Sequence, residues 1–153
     1  MAQLSAGDRA PAFALVDQHG QKIRLSTFKG RKVVVYFYPK ADTPGCTTQS
    51  CALSDAMPEL SGLGADVVGI SPDSPDRQLR FDEKYGLGFP LLADEDHSVA
   101  EAWGAWGEKV NYGKRYFGIV RSAFVVDERG RIAAAFYKVS PQDTVPKVTA
   151  VLT

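Results

Sequence analysis

The sequence contains few cysteines and histidines and lacks a long apolar run. Its 153 residues include two cysteines and two scattered histidines, which do not make a four-ligand zinc site. Its apolar runs fall well short of the roughly 20 residues of a membrane-spanning helix. Lysine plus arginine equals aspartate plus glutamate, at 18 each, so charge gives no reason to expect a nucleic acid or an anionic membrane as partner.

The compartment and the domain organisation follow from similar absences. Residues 1–5 show no basic stretch followed by an apolar one, so no secretory signal is expected and we predict a cytoplasmic protein. Cytoplasmic thiols are kept reduced, and a lone cysteine pair there is more often catalytic or redox-sensing than structural. The length predicts a single domain, residues 1–153.

Strand-like and helix-like patterns alternate along the chain, which predicts an α/β fold with a mixed central β-sheet flanked by helices. Residues 33–38 are continuously apolar and are expected to form a strand buried on both faces. Residues 13–15 and 22–25 should form an N-terminal β-hairpin, and residues 104–116 an irregular loop. The other predicted strands are 65–71, 89–93, 120–127 and 131–138; the predicted helices are 46–62 with a distortion near Pro58, 74–85, a short helix capped by Asp96 and ending at Trp103, and 141–152.

Both cysteines lie in one short segment that follows the strand at 33–38. Cys46 is expected where that strand gives way to a helix, facing unpaired backbone N–H groups and the positive end of the helix dipole. These surroundings favour the thiolate, which is the nucleophilic form, so position alone predicts a reactive thiol. Gly45 would let the backbone approach a bound ligand closely. The alternative is that Cys46 is a small buried apolar side chain.

Cys51 follows five positions later. On an intact helix the two Cα atoms would be roughly 8.7 Å apart, from a rise of about 1.5 Å per residue and a radius of about 2.3 Å. A disulfide needs less than about 7 Å. If both cysteines occupy one helix, a bond between them therefore requires partial unwinding, and we expect oxidation of Cys46 to be coupled to melting of the helix start. The alternative is that Cys51 is a buried apolar side chain.

The segment from Pro39 to Cys51, PKADTPGCTTQSC, resembles the active-site segment of peroxiredoxins, and in particular that of the bacterioferritin-comigratory (Q-type) group. The similarity extends over nearly the whole chain, through residues 7–13, 68–73, 91–94 and 112–124. It implies a thioredoxin-like fold and a thiol peroxidase that requires no metal, flavin or haem cofactor. One difference is Ser54, which stands where family members often carry arginine and is expected to affect how readily the helix unwinds.

The resemblance also implies site residues. Cys46 would be the peroxidatic thiolate and Cys51 the resolving thiol. Thr43 would hydrogen-bond the sulfur and the peroxide through its hydroxyl, and Pro39 would shield the pocket.

Two further residues complete the implied site. Arg121 would supply a permanent positive charge that stabilises the thiolate and orients the peroxide. Gln49 is expected either to hydrogen-bond Arg121 or to be exposed. Gly45 and Gln49 are the candidate substrate-binding residues.

The implied reaction has three steps. Cys46 attacks a hydroperoxide, forming a sulfenic acid and releasing water or an alcohol. Cys51 condenses with the sulfenic acid to form an intramolecular disulfide. An external dithiol, thioredoxin by resemblance, then reduces the disulfide. The protein is expected to be a monomer.

Other functions use similar residues. A thioredoxin-type disulfide reductase has two intervening residues between its cysteines, not four. A cysteine hydrolase needs a histidine partner, whereas His19 and His97 are expected at the surface. A peroxide sensor that relays oxidation to a partner protein would use the same site and stays open at this point. A group of aromatic residues could form either an apolar rim for organic hydroperoxides or part of the core: Trp103, Trp106, Tyr112, Tyr116 and Phe117.

Overall fold

The computed structural model describes residues 3–153; Met1 and Ala2, which belong to the predicted N-terminal segment and domain, lie outside the described residues. A seven-stranded mixed sheet forms its centre. The strands are β1 (Ala14–Val16), β2 (Lys22–Arg24), β3 (Lys32–Phe37), β4 (Ala65–Ser71), β5 (Leu91–Ala93), β6 (Trp106–Asn111), β7 (Lys114–Ile119), β8 (Ser122–Val126) and β9 (Ile132–Tyr137). The helices are α1 (Pro44–Asp55), α2 (Met57–Gly62), α3 (Pro75–Tyr85), α4 (Ser98–Ala102) and α5 (Thr144–Leu152), with a short 3₁₀ helix at Leu25–Phe28.

The central sheet has the strand order β2-β1-β5-β4-β3-β8-β9. Strand β3 pairs in parallel with β4 and antiparallel with β8. Strand β5 is parallel to β4, and β1 pairs antiparallel with both β2 and β5. The predicted mixed sheet flanked by helices, with an N-terminal β-hairpin, is confirmed.

Strand β3 is buried on both faces, as its unbroken apolar sequence predicts. Val34 and Tyr36 point into one core, which also contains Cys46. Val35 and Phe37 point into the other core, which is built around Trp103. The cysteine segment therefore starts shortly after the carboxyl end of a strand that is packed on both faces.

Residues 106–119 form a two-stranded antiparallel sheet, β6–β7, so the prediction of an irregular loop at 104–116 is wrong. The two residues at its tip, Tyr112 and Gly113, have φ values of 51° and 78°. Positive φ at both central positions is typical of the two-residue turns that close β-hairpins. Much of the hairpin is exposed on both faces, so its strands lack the apolar alternation that would indicate them in the sequence.

The single helix predicted at 46–62 is divided into two helices, and the first of them starts two residues earlier than predicted. Helix α1 begins at Pro44 and ends at Asp55, and Ala56 separates it from the start of α2 at Met57. Pro58 explains the break, because it lacks the N–H that would continue the hydrogen bonds of α1.

The remaining helices differ from prediction only at their ends. The N-cap position of α4 is His97, at φ 53°, rather than the predicted Asp96. Asp96 nevertheless accepts from the amide of Ser98, the first helical residue, at 3.1 Å. The carboxylate of Asp94 accepts from the next two amides, those of Val99 and Ala100, at 3.2 and 2.9 Å. Helix α4 ends at Ala102, and α5 begins at Thr144 rather than at residue 141. Among residues 3–153, every helix is too short or too polar to cross a membrane.

Candidate active site

Cys46 lies in the first turn of α1, just beyond the end of β3. Thr43 has extended backbone angles and is the N-cap, and Pro44 is the first helical residue, where its fixed φ suits a helix start. Cys46 is therefore the third residue of the helix, beside the unpaired amides and the positive end of the dipole. Its side chain is fully buried. Cys46 thus occupies the helix start, as its position in the sequence predicts.

Arg121 connects the sulfur to a distant part of the chain. Its Nη2 donates to Cys46 Sγ at 3.2 Å, and its Nη1 donates to Gln49 Oε1 at 2.7 Å. The antiparallel pairing of β3 with β8 places Phe37 opposite Ser122, so the residue before Ser122 lies beside the end of β3. The guanidinium thus reaches two residues on one face of α1 with two parallel donors.

Gln49 is buried and extends this contact to the last helix. Its Nε2 donates to Thr144 Oγ1 at 3.0 Å, and that hydroxyl donates to Ser140 O at 2.9 Å. Gln49 and Thr144 are both fully buried. Thr144, on α5, therefore positions the Gln49 side-chain amide, whose oxygen in turn accepts a hydrogen bond from Arg121. Thr144 was missed in the sequence, because a threonine near a predicted helix start is indistinguishable there from an ordinary cap.

Gly45 faces the arginine. A Cβ at this position would lie 3.1 Å from Arg121 Nη2, which is closer than most real Cβ contacts. The missing side chain therefore leaves room for the guanidinium, whereas the sequence suggested room for a ligand.

The segment before α1 is held at several points. Thr43 Oγ1 donates to Lys40 O at 2.8 Å, which commits its proton and leaves its oxygen lone pairs free to accept. Asp42 adopts φ 62° and accepts from Lys84 Nζ at 3.0 Å and from Tyr85 Oη at 2.9 Å. The hydrogen bond from Lys84, followed by that from Tyr85, lowers the pKa of Asp42. Pro39 is half-buried between this segment and β3.

A buried polar network also bonds the segment before α1, at Ala41. Asp73 Oδ2 accepts from Ala41 N at 2.7 Å and from Ser71 Oγ at 2.7 Å. Gln78 Nε2 donates to Ser71 Oγ at 2.8 Å, and its carbonyl oxygen accepts from the hydroxyl of Tyr38. Tyr38 directly follows β3, Ser71 ends β4, Asp73 lies two residues beyond it and Gln78 is on α3. They share no sequence pattern, so sequence reasoning missed them.

Cys51 lies in α1 with Cys46, and both are free thiols. It is half-buried and packs against the core that contains Cys46. Burial, and then the nearby carboxylate of Asp55, raise the pKa of the Cys51 thiol. The folded helix therefore keeps this second thiol mainly protonated.

A second cation, Lys109, lies near the site. Its Nζ donates to Ile119 O at 2.8 Å, two residues before Arg121. Burial lowers the pKa of Lys109, as does the positive charge of Arg121, while Cys46 acts in the opposite direction. Of the aromatic residues that could form a rim or core, Trp103 is core and Trp106 stacks on His97, whereas the other three are exposed on the β6–β7 hairpin: Tyr112, Tyr116 and Phe117.

Comparisons with known proteins show which family this chain resembles. Residues 6–135 match the AhpC/TSA family. Peroxiredoxin Bcp of Escherichia coli strain K12 is 54% identical over 136 residues, which cover 89% of this chain and 87% of the relative. Peroxiredoxin Bcp of Bacillus subtilis strain 168 is 42% identical over 149 residues, which cover 97% and 95%.

Solved structures show the same similarity. Xanthomonas campestris peroxiredoxin Q superposes with a TM-score of 0.89 and 35% identity, covering 96% of each chain. A trapped intermediate/ligand complex of the bacterioferritin comigratory protein of that organism, described for its alkyl peroxide reduction activity, gives a TM-score of 0.89 at 34% identity, again covering 96% of each chain.

Proposed function

The chain belongs to the AhpC/TSA family and is a peroxiredoxin of the Bcp type, a thiol peroxidase; on that premise we propose that Cys46 is the peroxidatic thiolate and Cys51 the resolving thiol. The contact between Arg121 Nη2 and Cys46 Sγ, at 3.2 Å and at the start of α1, is the observation that carries this proposal. A fixed cation and a helix N-terminus both stabilise the nucleophilic form of sulfur.

In the first step, the Cys46 thiolate attacks the terminal oxygen of a hydroperoxide. An S–O bond forms and the O–O bond breaks, and its electron pair leaves with the other oxygen, which takes a proton and departs as water or an alcohol. The peroxide oxygens develop negative charge as they separate, and Arg121 supplies donors for it. The Thr43 oxygen accepts a hydrogen bond from the peroxide O–H, because its own proton is donated to Lys40 O.

In the second step, the Cys51 sulfur attacks the Cys46 sulfenic acid. The S–S bond forms as the S–O bond breaks, and water leaves with the proton of Cys51. Both cysteines occupy one continuous helix, in which their Cα atoms are too far apart for a disulfide. The segment between them must therefore unwind.

In the third step, a protein dithiol of the thioredoxin class reduces the disulfide by thiolate exchange. The cytoplasm supplies such dithiols, and we place the protein there as a monomeric, single-domain enzyme. Its substrates are hydrogen peroxide and organic hydroperoxides, a range supported by the alkyl peroxide reduction described for the X. campestris relative.

The decisive experiment compares the parent with Cys46→Ser and Cys51→Ser. We expect the parent to turn over with thioredoxin, thioredoxin reductase and NADPH, and Cys46→Ser to be inactive. Cys51→Ser should consume one equivalent of peroxide, yield a sulfenic acid that a dimedone-type reagent traps, and then stall. Sustained thioredoxin-supported turnover of Cys51→Ser would contradict the role of Cys51, and a parent that turns over only with an added partner protein would favour a sensor.

A further inference from the structure

One buried hydroxyl pair lies beside both cysteines, and the reaction described above does not use it. Tyr36 Oη and Ser50 Oγ are 2.7 Å apart, and both side chains are fully buried. Tyr36 belongs to the central strand β3, whereas Ser50 belongs to α1 and directly precedes Cys51. The bond therefore ties the rigid centre of the sheet to the helix segment between the two reacting sulfurs.

The sheet makes specific room for this contact. Tyr36 pairs in register with Gly69 on β4, and a Cβ at Gly69 would lie 2.9 Å from both Cζ and Oη of Tyr36. The aromatic ring thus lies across the glycine, and its hydroxyl reaches α1. Burial raises the pKa of Tyr36 far above its usual value; the bond to Ser50 opposes this, and the charges of Cys46 and Cys51 add to it. The phenol is therefore neutral and lies within electrostatic range of both cysteines.

The contact opposes the unwinding that the second step needs. When the turn between the cysteines opens, Ser50 moves away and leaves the Tyr36 hydroxyl, which is fully buried in the closed form, without its partner. A buried hydroxyl without a partner is unfavourable, so the bond stabilises the wound helix relative to the open one. From this geometry we infer that Tyr36 is a positioning residue that keeps α1 wound around Cys46 and sets how fast Cys51 reaches the sulfenic acid. The inference rests on the proposed role of Cys51 as the resolving thiol.

The consequence is a competition between two fates of the Cys46 sulfenic acid. It condenses with the Cys51 thiol and releases water, or it attacks a second hydroperoxide, which becomes water or an alcohol while the sulfur becomes a sulfinic acid. A helix that stays wound longer favours oxidation of the sulfenic acid to the sulfinic acid over disulfide formation. The Tyr36–Ser50 bond therefore determines the peroxide dose at which the enzyme is irreversibly oxidised.

The test is Tyr36→Phe, which removes one oxygen and keeps the ring. Ser50 retains a partner in this variant, because a helical serine can donate to the carbonyl four residues earlier. We expect disulfide formation to be about 3- to 10-fold faster, which corresponds to one ordinary buried hydrogen bond. The peroxide dose that converts half of Cys46 to the sulfinic acid should rise by the same factor, while the first oxidation of Cys46 changes less than twofold. Rapid mixing with mass analysis measures all three quantities.

Tyr137→Phe is the matched control. It removes a partly buried tyrosine hydroxyl from the other core, where that hydroxyl bonds Trp103 O and Leu4 N. It should lower general stability without changing disulfide formation. Equal acceleration in Tyr137→Phe, or an unchanged rate in Tyr36→Phe, would overturn the inference.

A second variant and the parent separate the possible failures. Ser50→Ala leaves the Tyr36 hydroxyl unpaired in the closed state and should also accelerate disulfide formation. Hydrogen exchange of the reduced protein should show faster opening of the amides of residues 46–51 in both variants. If the parent forms no Cys46–Cys51 disulfide, the proposed function fails; if the parent forms it and both variants match the parent, only the role of Tyr36 fails.

Discussion

Arg121 Nη2 lies 3.2 Å from Cys46 Sγ, although 75 positions separate the two residues in the chain. The antiparallel pairing of β8 with β3 makes this contact possible, because it places the start of β8 beside the carboxyl end of β3. The same guanidinium donates to Gln49, so the Arg121 side chain contacts both the Cys46 sulfur and a second residue of α1.

Replacement of the guanidinium by a single ammonium tests the need for two donors. Arg121→Lys keeps the charge but cannot bond Cys46 and Gln49 in parallel. We expect kcat/KM for hydrogen peroxide to fall by about 10²-fold, in line with loss of one donor to a developing negative charge. Arg129→Lys, in the exposed turn before β9, is the control and should match the parent. An Arg121→Lys enzyme within threefold of the parent would contradict the two-donor role.

The amide of Gln49 should matter through Arg121 rather than through the peroxide. Gln49→Leu keeps similar volume but removes the bonds to Arg121 and Thr144, so we expect kcat/KM to fall by about tenfold and the free energy of unfolding by about 1–3 kcal/mol. Thr144→Val breaks only the outer bond and should have a smaller effect on rate. Peroxide kinetics and urea unfolding measure the two quantities. A Gln49→Leu enzyme with the parent's kcat/KM would show that the bond from Arg121 to Gln49 does not contribute to the reaction.

Gly45→Ala should separate activity from stability. Alanine favours a helix over glycine by about 1 kcal/mol, so the fold should not be weakened. Its Cβ would nevertheless lie 3.1 Å from Arg121 Nη2 and displace the guanidinium by a few tenths of an ångström. We expect a lower kcat/KM with an unchanged or higher melting temperature. Gly62→Ala, whose Cβ would project into open space, should show the parent's activity; a fully active Gly45→Ala would contradict the close fit.

The pH dependence of disulfide formation should report Cys51. Burial and the Asp55 carboxylate raise its pKa, so at neutral pH the thiol predominates and the nucleophilic thiolate is scarce. The rate should therefore increase as pH rises towards that raised pKa. Asp55→Asn removes one of the two causes and should shift the profile to lower pH, modestly because Asp55 is exposed to screening solvent.

Rapid mixing of peroxide with the reduced enzyme across pH values measures this profile. Asp76→Asn, on α3, removes a carboxylate from a different helix and should leave the profile unchanged. High salt should reduce the difference between Asp55→Asn and the parent. Superimposable profiles at low salt would show that Asp55 does not influence Cys51.

The parts of the molecule that could be predicted from sequence are those with local, repeated or family-wide patterns. The apolar run of β3 indicates a strand buried on both faces, and Ser74 and Gly86 bound α3 as their residue types predict. The cysteine segment carries a specific resemblance, which also identified the family. Each of these features can be predicted from residues that are neighbours in the sequence.

The parts that could not be predicted depend on contacts between distant polar side chains. Thr144, Asp73 and Ser50 are ordinary residues until the fold brings them to Gln49, Ala41 and Tyr36. The β6–β7 hairpin was missed for another reason: many of its side chains are exposed on both faces, so its sequence has no apolar alternation.

The complete burial of Cys46 has a consequence for the oxidants it meets. A sulfur without exposed surface can be reached only by molecules small enough to pass between side chains, and hydrogen peroxide is among the smallest of these. Bulky disulfides such as oxidised glutathione are excluded by size, whatever their intrinsic reactivity towards thiolates. The wound form of α1 thus selects oxidants by size before the thiolate selects them by reactivity.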